Sequence, residues 1–213
     1  MKKLPLYLIF LWTFIHIGRP QDVFPALKLI NPGDVVAILT LVSYIFVEKK
    51  NLRVFSFPEF RLLLLLFAVA VLSTPYGFYP KASLSFLYNF YFKIGLYLYL
   101  VAKLVTDEEQ IQSMIKTVML SGFLMAVAAV SSQQIGIRTG IGTTYDPNDL
   151  GMLFVVTLPL ALFQGMTSTN RRWKIICYTG AVFNLLAVIS TQSRGAYLGL
   201  VAVGGFVLIS KVR

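Results

Sequence analysis

The chain alternates apolar runs with short polar segments, and this pattern predicts a series of membrane-spanning helices. Several runs are shorter than the roughly 20 residues that a spanning helix needs, so we expect flanking residues to extend them. The pattern predicts an all-α fold, a polytopic transmembrane helix bundle of about eight helices that forms a single domain over residues 1–213. The predicted helices are about Leu4–Ile17, Asp34–Val47, Leu62–Leu72, Leu84–Leu104, Ile115–Val130, Leu150–Met166, Ile175–Ile189 and Ala196–Ile209.

Composition supports a membrane protein. Hydrophobic residues make up 57% of the chain, charged residues only 13%, and the mean hydropathy is +0.74, values outside the range of ordinary soluble domains. The single cysteine, Cys177, excludes an intrachain disulfide and a cysteine metal cluster. The net charge of +10 raises the question of nucleic acid. The basic residues, however, stand in short clusters between apolar runs, which is typical of inner-membrane proteins. Membrane lipids are therefore expected partners, and nucleic acid is not.

The basic residues also predict an orientation. Placing the N-terminus in the cytoplasm leaves most of the 19 Lys and Arg residues in inner segments, as the positive-inside rule requires, and puts the C-terminal end in the cytoplasm too. Lys93 falls inside the fourth helix. Only five basic residues fall in outer segments: Arg19, Lys28, Lys81, Arg138 and Arg194. The sequence therefore predicts that Arg194 shares the outer, non-cytoplasmic face with the segment around Asp146–Asp149.

Arg194 is the main candidate for a functional residue. It follows the polar residues Thr191, Gln192 and Ser193 and stands between two runs apolar enough to enter a bilayer. One interpretation is a helix-end arginine that anchors the interface. The other is a ligand contact, because intramembrane arginines are usually functional and a planar, charged fork suits phosphate oxygens. Gly195 and Gly199 form a GxxxG pattern that would let the last helix approach a neighbour closely.

Other polar residues of the predicted outer face are candidates for substrate binding. Asn148 and Asp149 lie in a turn that precedes the sixth helix, where either would serve as its N-cap. In the alternative interpretation, Asn148 and the helix N-terminus present donors to a ligand. Lys93 would either snorkel to the surface or line a cavity that opens outward. The full set of predicted substrate-binding residues is Asn148, Asp149, Lys93, Arg138 and Ser193.

Several classes of chemistry leave no signature in the chain. No paired carboxylates, histidine-rich ligand set, nucleotide-binding loop or Ser-His-Asp arrangement is visible. The only histidine, His16, lies in the first helix and reads as a packed or interfacial residue. Asn184 and Gln164 are predicted to make interhelical hydrogen bonds. The sequence thus predicts neither a metal site nor a cofactor.

Two motifs carry a resemblance to a known family. DPNDLG followed by an apolar helix with LPLAL, and STQSRGAYLGL after the next helix, resemble the O-antigen ligase/O-antigen polymerase superfamily of bacterial membrane glycosyltransferases. The RPQDVFP segment and the stretch from FK to YLYLVAKLVTDEEQI are also similar to that group. The resemblance covers essentially the whole chain. It implies an enzyme of the bacterial inner membrane that takes a glycan from an undecaprenyl-pyrophosphate carrier on the periplasmic face and transfers it to a lipid A core or a lipid-linked glycan.

The resemblance also implies a division of roles. Such enzymes are metal-independent, with arginines that hold the pyrophosphate and a histidine that activates the acceptor, and the SRG arginine corresponds to Arg194. In the family a large periplasmic loop with a second arginine and the histidine follows the region seen here. We therefore expect these 213 residues to be the N-terminal portion of a longer protein, without turnover on their own. A truncated product without catalysis is the other interpretation.

Two further functions fit parts of the pattern. A transporter or flippase of lipid-linked anionic glycans would line its path with Arg194 and Lys93, and it would contain inverted repeats and broken helices. Pro159 is one candidate break, and no matching partner is visible. A non-catalytic membrane scaffold would use the GxxxG face, and it would tolerate Arg194→Lys.

Overall fold

The computed structural model describes residues 3–47, 58–87, 91–133, 138–142 and 145–211. Every regular element in these ranges is helical. The α-helices are α1 (Leu4–Gly18), α2 (Pro20–Val23), α3 (Pro32–Val47), α4 (Pro58–Ser73), α5 (Pro80–Phe86), α6 (Phe92–Leu104), α7 (Glu108–Ser131), α8 (Pro147–Thr167), α9 (Arg171–Thr191) and α10 (Arg194–Lys211), with 3-10 turns at Pro25–Ile30 and Thr74–Tyr76. The all-α prediction is confirmed.

Each predicted apolar run corresponds to helix in the structure, and polar flanks extend most of the helices beyond the run. The fourth run is described as α5 and α6, and residues 88–90 between them lie outside the described ranges. The segment after the first helix, predicted as an interfacial loop, contains α2 and a 3-10 turn. The predicted inner basic residues Lys2, Lys49, Lys50, Arg53 and Arg213 lie outside the described residues.

Within the described ranges, three helices are long and apolar enough to span a membrane: α7, α8 and α9. Shorter apolar helices occur at Leu4–Gly18, Pro32–Val47, Phe60–Tyr76 and Arg194–Val207. Large apolar side chains on α8 to α10, such as Met152, Val182 and Leu198, are exposed, whereas Thr157 and Asn184 are fully buried. An exposed apolar surface of this extent would be a liability in water. These features are consistent with a membrane protein.

The chain divides into two compact units. Unit 1 comprises Met1–Ile9 and Val36–Gln110, and unit 2 comprises Phe10–Val35 and Ile111–Arg213. Within unit 1 the rings of Tyr99 and Tyr44 pack edge to face with centroids 6.2 Å apart, and the Phe60 ring packs tilted against Tyr99 at 5.7 Å. Lys93 belongs to unit 1, where it is the second residue of α6 and is half-buried.

Unit 2 is built around an antiparallel hairpin of α8 and α9. Its core consists of side chains from α7 to α10, with Phe154, Met125 and Val188 fully buried. Glycines allow the close approaches: a Cβ on Gly122 would lie 2.5 Å from Thr157, and one on Gly165 would lie 3.2 Å from Cys177. Because the connection between α8 and α9 is only three residues long, the start of α8 lies beside the end of α9.

Two predicted interhelical hydrogen bonds are confirmed in unit 2. The Thr157 hydroxyl on α8 donates to Asn184 Oδ1 on α9 at 2.8 Å, and Asn184 Nδ2 donates to the carbonyl of Gly180 at 2.8 Å. Gln164 Nε2 on α8 donates to Gln112 Oε1 on α7 at 2.8 Å. Such bonds fix helix register where apolar contacts alone are not specific.

Candidate functional site

The candidate site lies at one end of unit 2, which we call the loop end. The loop end comprises Arg19–Asp22, residues 138–142 with Tyr145, the first turn of α8, and the turn between α9 and α10. These segments touch one another: the Tyr145 hydroxyl donates to the carbonyl of Ile17 at 3.2 Å, and the Thr139 N–H donates to the carbonyl of Ser190 at 3.2 Å. These contacts bring Arg19, Arg138, Asp146–Asp149 and Arg194 to one end of unit 2. The side of the membrane on which that end lies stays a prediction.

Side-chain caps fix the N-termini of the two helices that meet here. Asp146 caps α8, and its Oδ1 accepts from the N–H groups of Asn148 at 2.6 Å and Asp149 at 2.9 Å. Pro147 at the first helical position completes a favoured helix start. The prediction that Asn148 or Asp149 would be the N-cap is therefore wrong, because the carboxylate of the preceding Asp146 takes that role. The freed Asn148 side chain is available for other contacts.

Ser193 holds the start of α10 in a similar way. Its Oγ accepts from the N–H of Ala196 at 3.3 Å, and its own N–H donates to Thr191 Oγ1 at 3.3 Å. Gln192 before it adopts a left-handed conformation with φ of 50°, which reverses the chain between α9 and α10. Ser193 is 1% exposed. The Ser193 side chain is therefore part of the turn, and its hydroxyl donates to Asn148 of α8.

The centre of the site is the side chain of Asn148. Its Oδ1 accepts from Arg138 Nη2 at 2.9 Å and from Ser193 Oγ at 3.0 Å. Arg138 also donates from Nε to the carbonyl of Thr191 at 3.4 Å. Three of the predicted residues, Arg138, Asn148 and Ser193, are thus joined in one hydrogen-bond network. Arg194 follows Ser193 directly, so it belongs to the same end.

Gly151 brings the two helix starts together. A Cβ on Gly151 would lie 2.6 Å from the Cβ of Ala196 and 3.3 Å from the Cβ of Ser193. Only a glycine on α8 permits this approach of the α9–α10 turn. The expected role of GxxxG holds for Gly199, where a Cβ would meet Val155 of α8 at 3.1 Å. It does not hold for Gly195, whose nearest atom would be Ser193 Oγ at 3.9 Å.

Arg194 and Asp149 are exposed at this end. Neither side chain makes a hydrogen bond or an ion pair with any of the described residues. Arg194 occupies the first turn of α10, where the positive end of the helix dipole disfavours a cation. Asp149 occupies the first turn of α8, where the dipole favours a carboxylate.

Tyr145 links the site to the end of α1. The Arg19 guanidinium lies 5.8 Å from the centre of its ring, and an antiparallel bridge pairs Tyr145 with Ile141. Burial raises the pKa of the Tyr145 hydroxyl above its ordinary value; Arg19 opposes this shift, and Asp149 and Asp22 add to it. The hydroxyl therefore stays protonated at neutral pH and remains a donor to Ile17. The neighbouring residues 143 and 144 lie outside the described part.

The structure adds residues that the sequence analysis did not single out: Asp22, Gly142, Tyr145 and Gly151. Arg19 and Asp22 stand three positions apart at the start of a helix, which is a usable signal for an ion pair. Gly142 and Gly151 gave no signal, because their roles depend on which segments approach them. Among the described residues, no group of three or more His, Cys, Asp or Glu side chains is arranged to hold a metal ion.

Comparison with known proteins adds no family to this picture. No family model, no curated protein and no solved structure matches the chain.

Proposed function

We propose that the loop end of unit 2 binds the pyrophosphate of an undecaprenyl-pyrophosphate-linked glycan. The chain would contribute this site to a glycosyltransferase of the O-antigen ligase/polymerase type, which transfers the glycan to a lipid A core, a lipid-linked glycan or another acceptor. The observation that carries the proposal is the hydrogen-bonding of Asn148, whose acceptor oxygen is occupied by Arg138 and Ser193.

The network presents donors, and an anion with many acceptor oxygens complements it. An amide oxygen has two lone pairs, and both partners of Asn148 Oδ1 are donors, so the orientation of the amide is fixed. Asn148 Nδ2 is left with no partner among the described residues. Arg138 uses two of its roughly five N–H donors, toward Asn148 and Thr191. The donors that remain suit phosphate oxygens.

Arg194 and the start of α10 extend this donor surface. The N–H groups of Arg194 and Gly195 have no partner among the described residues. A cation at a helix N-terminus is unfavourable unless an anion lies between them. A phosphate bound there would receive hydrogen bonds from the guanidinium and from the backbone together, and it would relieve the repulsion.

This arrangement fits the chemistry of glycan transfer from a pyrophosphate carrier. An acceptor hydroxyl attacks the anomeric carbon and gives its proton to a general base, the histidine that the resemblance implies. The bond from that carbon to the phosphate oxygen breaks, and the pyrophosphate leaves with the bonding electron pair as an added negative charge. Fixed cationic donors stabilise that charge as it develops. Asp149 is a carboxylate acceptor on the adjacent turn, and a sugar hydroxyl of the glycan would donate to it.

The membrane setting of the proposal rests on charge as well as apolarity. Lys116, Arg171, Arg172 and Lys174 lie toward the opposite end of unit 2, where Lys116 Nζ is 5.8 Å from the centre of the Trp173 ring. A basic end of this kind faces the cytoplasm under the positive-inside rule. The loop end would then face the periplasm from the bacterial inner membrane, where lipid-linked glycans are presented.

Binding of inorganic pyrophosphate to the purified chain in detergent tests the proposal. We expect Arg194→Ala to raise the Kd about tenfold or more, because hydrogen bonds to charged groups contribute about 1.5–3 kcal/mol. Arg194→Lys keeps the charge but loses the fork, so its Kd should lie between those of the wild type and Arg194→Ala.

Arg171→Ala is the matched control, since Arg171 is also an exposed first-turn arginine but starts α9 at the opposite end. Its Kd should equal that of the wild type. Equal Kd values for all four proteins would favour a scaffold over a pyrophosphate site.

A further inference from the structure

An ion cluster around a buried carboxylate lies next to the site, in α2, the residue before it and the turn that follows it. The Asp22 carboxylate is only 4% exposed; Arg19 Nε donates to its Oδ2 at 2.7 Å, and Lys28 Nζ lies 3.6 Å from its Oδ1. Arg19 itself has a left-handed backbone with φ of 38°, a strained conformation for a residue with a side chain. Buried charges and strained residues persist when the surrounding contacts hold them in place.

Gly142 covers the Asp22 carboxylate from the loop side. A Cβ on Gly142 would lie 2.6 Å from Asp22 Cγ and 2.8 Å and 2.9 Å from the two carboxylate oxygens. Gly142 also has a positive φ of 61°, which glycine adopts without strain. The loop thus rests on Asp22 through a position that only glycine fits.

The same cluster holds Tyr145, at the other end of this short loop. Arg19, oriented by its ion pair with Asp22, lies over the Tyr145 ring. The N–H of Ile141 donates to the carbonyl of Tyr145 at 3.1 Å, and the N–H of Tyr145 donates to the carbonyl of Ile141 at 3.3 Å. Ile141 and Tyr145 are thus paired, and Asp22 acts on both sides of this pair. It contacts Gly142, which follows Ile141, and it orients Arg19, which lies over Tyr145.

This segment leads directly to the donors of the site. Tyr145 precedes Asp146, the cap that places Asn148, and Ile141 follows the stretch that carries Arg138. Asp22 makes no direct hydrogen bond to Arg138 or Asn148. Its influence on them passes through Gly142, Arg19 and Tyr145.

We infer that Asp22 is a positioning residue for the anion site. It anchors residues 138–142 by its contact with Gly142, and it anchors Tyr145 through Arg19. Arg138 and Asn148 therefore face the ligand together. The choice of an anion as the ligand rests on the proposed function, whereas the anchoring of the loop does not. The positioning role and a simple charge effect predict opposite changes in anion affinity for Asp22→Asn. Asp22→Asn removes a negative charge near the site, which by electrostatics alone strengthens anion binding.

The test measures pyrophosphate binding and amide hydrogen exchange on purified wild-type and Asp22→Asn chains. We expect the Kd for inorganic pyrophosphate to rise about tenfold, which is the size of effect that the loss of one hydrogen bond to a charged group produces. Exchange should accelerate at the hydrogen-bonded amides of Thr139, Ile141 and Tyr145 and stay unchanged in α8 and α9. Tighter or unchanged binding together with normal exchange would overturn the inference.

Gly142→Ala approaches the same contact from the loop and leaves both ion pairs of Asp22 chemically intact. It should weaken binding and accelerate exchange at the same three amides as Asp22→Asn does, while Gly204→Ala, whose new Cβ would meet nothing within 4 Å, should do neither. If the wild-type chain fails to bind pyrophosphate, the proposed function fails, and exchange alone decides the role of Asp22. Normal exchange in both Asp22→Asn and Gly142→Ala would then refute the anchoring.

Discussion

The amide oxygen of Asn148 accepts a hydrogen bond from Nη2 of Arg138 at 2.9 Å, across ten positions of the chain. With a second bond from Ser193 Oγ at 3.0 Å, it joins the loop before α8 to the turn before α10. The side chain thereby does two things at once. It orients Arg138 without neutralising it, and its own NH₂ group stays without a partner among the described residues.

Asn148→Asp separates these two effects. The new carboxylate would still accept from Arg138 and Ser193, but it would pair with the arginine charge and replace a donor with an acceptor. We expect thermal stability equal to or slightly above that of the wild type, since an exposed ion pair contributes about 0–1 kcal/mol. Pyrophosphate binding should weaken by more than tenfold, because an anion would face a carboxylate.

Thermal unfolding in detergent and pyrophosphate titration of the same samples check this prediction. Asn148→Ala provides the comparison: it removes the donor without adding a charge, so its affinity should lie between those of the wild type and Asn148→Asp. An Asn148→Asp protein that binds pyrophosphate as well as the wild type would show that the anion does not lie at this network.

The contact of Gly151 with Ala196 predicts a loss of stability on substitution. Gly151→Ala would place its Cβ 2.6 Å from the Cβ of Ala196, closer than carbon atoms pack. Both residues lie at the start of long helices, so relief requires a shift of α8 or of the α9–α10 turn. Overpacking of this kind costs about 1–3 kcal/mol, which thermal unfolding would report as a lower Tm.

A second substitution tests whether this contact is the cause. Gly151→Ala combined with Ala196→Gly restores the space, so the double variant should recover part of the lost stability, as contacting residues are non-additive. Gly204→Ala, in an open position of α10, should be neutral or up to about 1 kcal/mol stabilising because alanine favours helices. A Gly151→Ala protein as stable as the wild type would contradict the packing described.

The elements of this fold are readable from the sequence because apolar runs, capping residues and prolines act locally. Asp146, for example, is the N-cap of α8, and Pro147 is the first residue of that helix. The site is less accessible to such analysis. Local polarity predicts Arg138, Asn148 and Ser193 individually as binding residues. Their convergence depends on the hairpin of α8 and α9 and on Gly151.

The limits of sequence analysis are clearest at Asp22 and Asp146. Gly142, 120 positions away in the printed sequence, packs directly against the Asp22 carboxylate, and one sequence carries no sign of that pairing. At the start of α8, three polar residues all suit an N-cap. The structure places Asp146 there and leaves the Asn148 side chain to bond Arg138 and Ser193. The role of Arg194 stays a prediction, since its side chain has no described partner that reveals it.

The orientation of unit 2 in a membrane is open to a direct chemical test. Ser132 lies in the turn after α7 and Thr169 between α8 and α9, and both residues are exposed. Because α7 and α9 run in the same direction between these ends, the two positions mark opposite ends of the helices. We expect Ser132→Cys to react with a membrane-impermeant thiol reagent added to intact cells. Thr169→Cys should react only after the cells are permeabilised, because the arginines at the start of α9 favour the cytoplasm.

The native cysteine gives this experiment a low background. Cys177 is fully buried inside unit 2, so the wild-type chain should remain unlabelled and serves as the control. Labelling of Thr169→Cys in intact cells, with Ser132→Cys protected, would place the loop end in the cytoplasm. A carrier-linked glycan presented on the outer face could not reach Arg194 in that orientation, and the proposed glycosyltransfer would have to be abandoned even if the purified chain bound pyrophosphate.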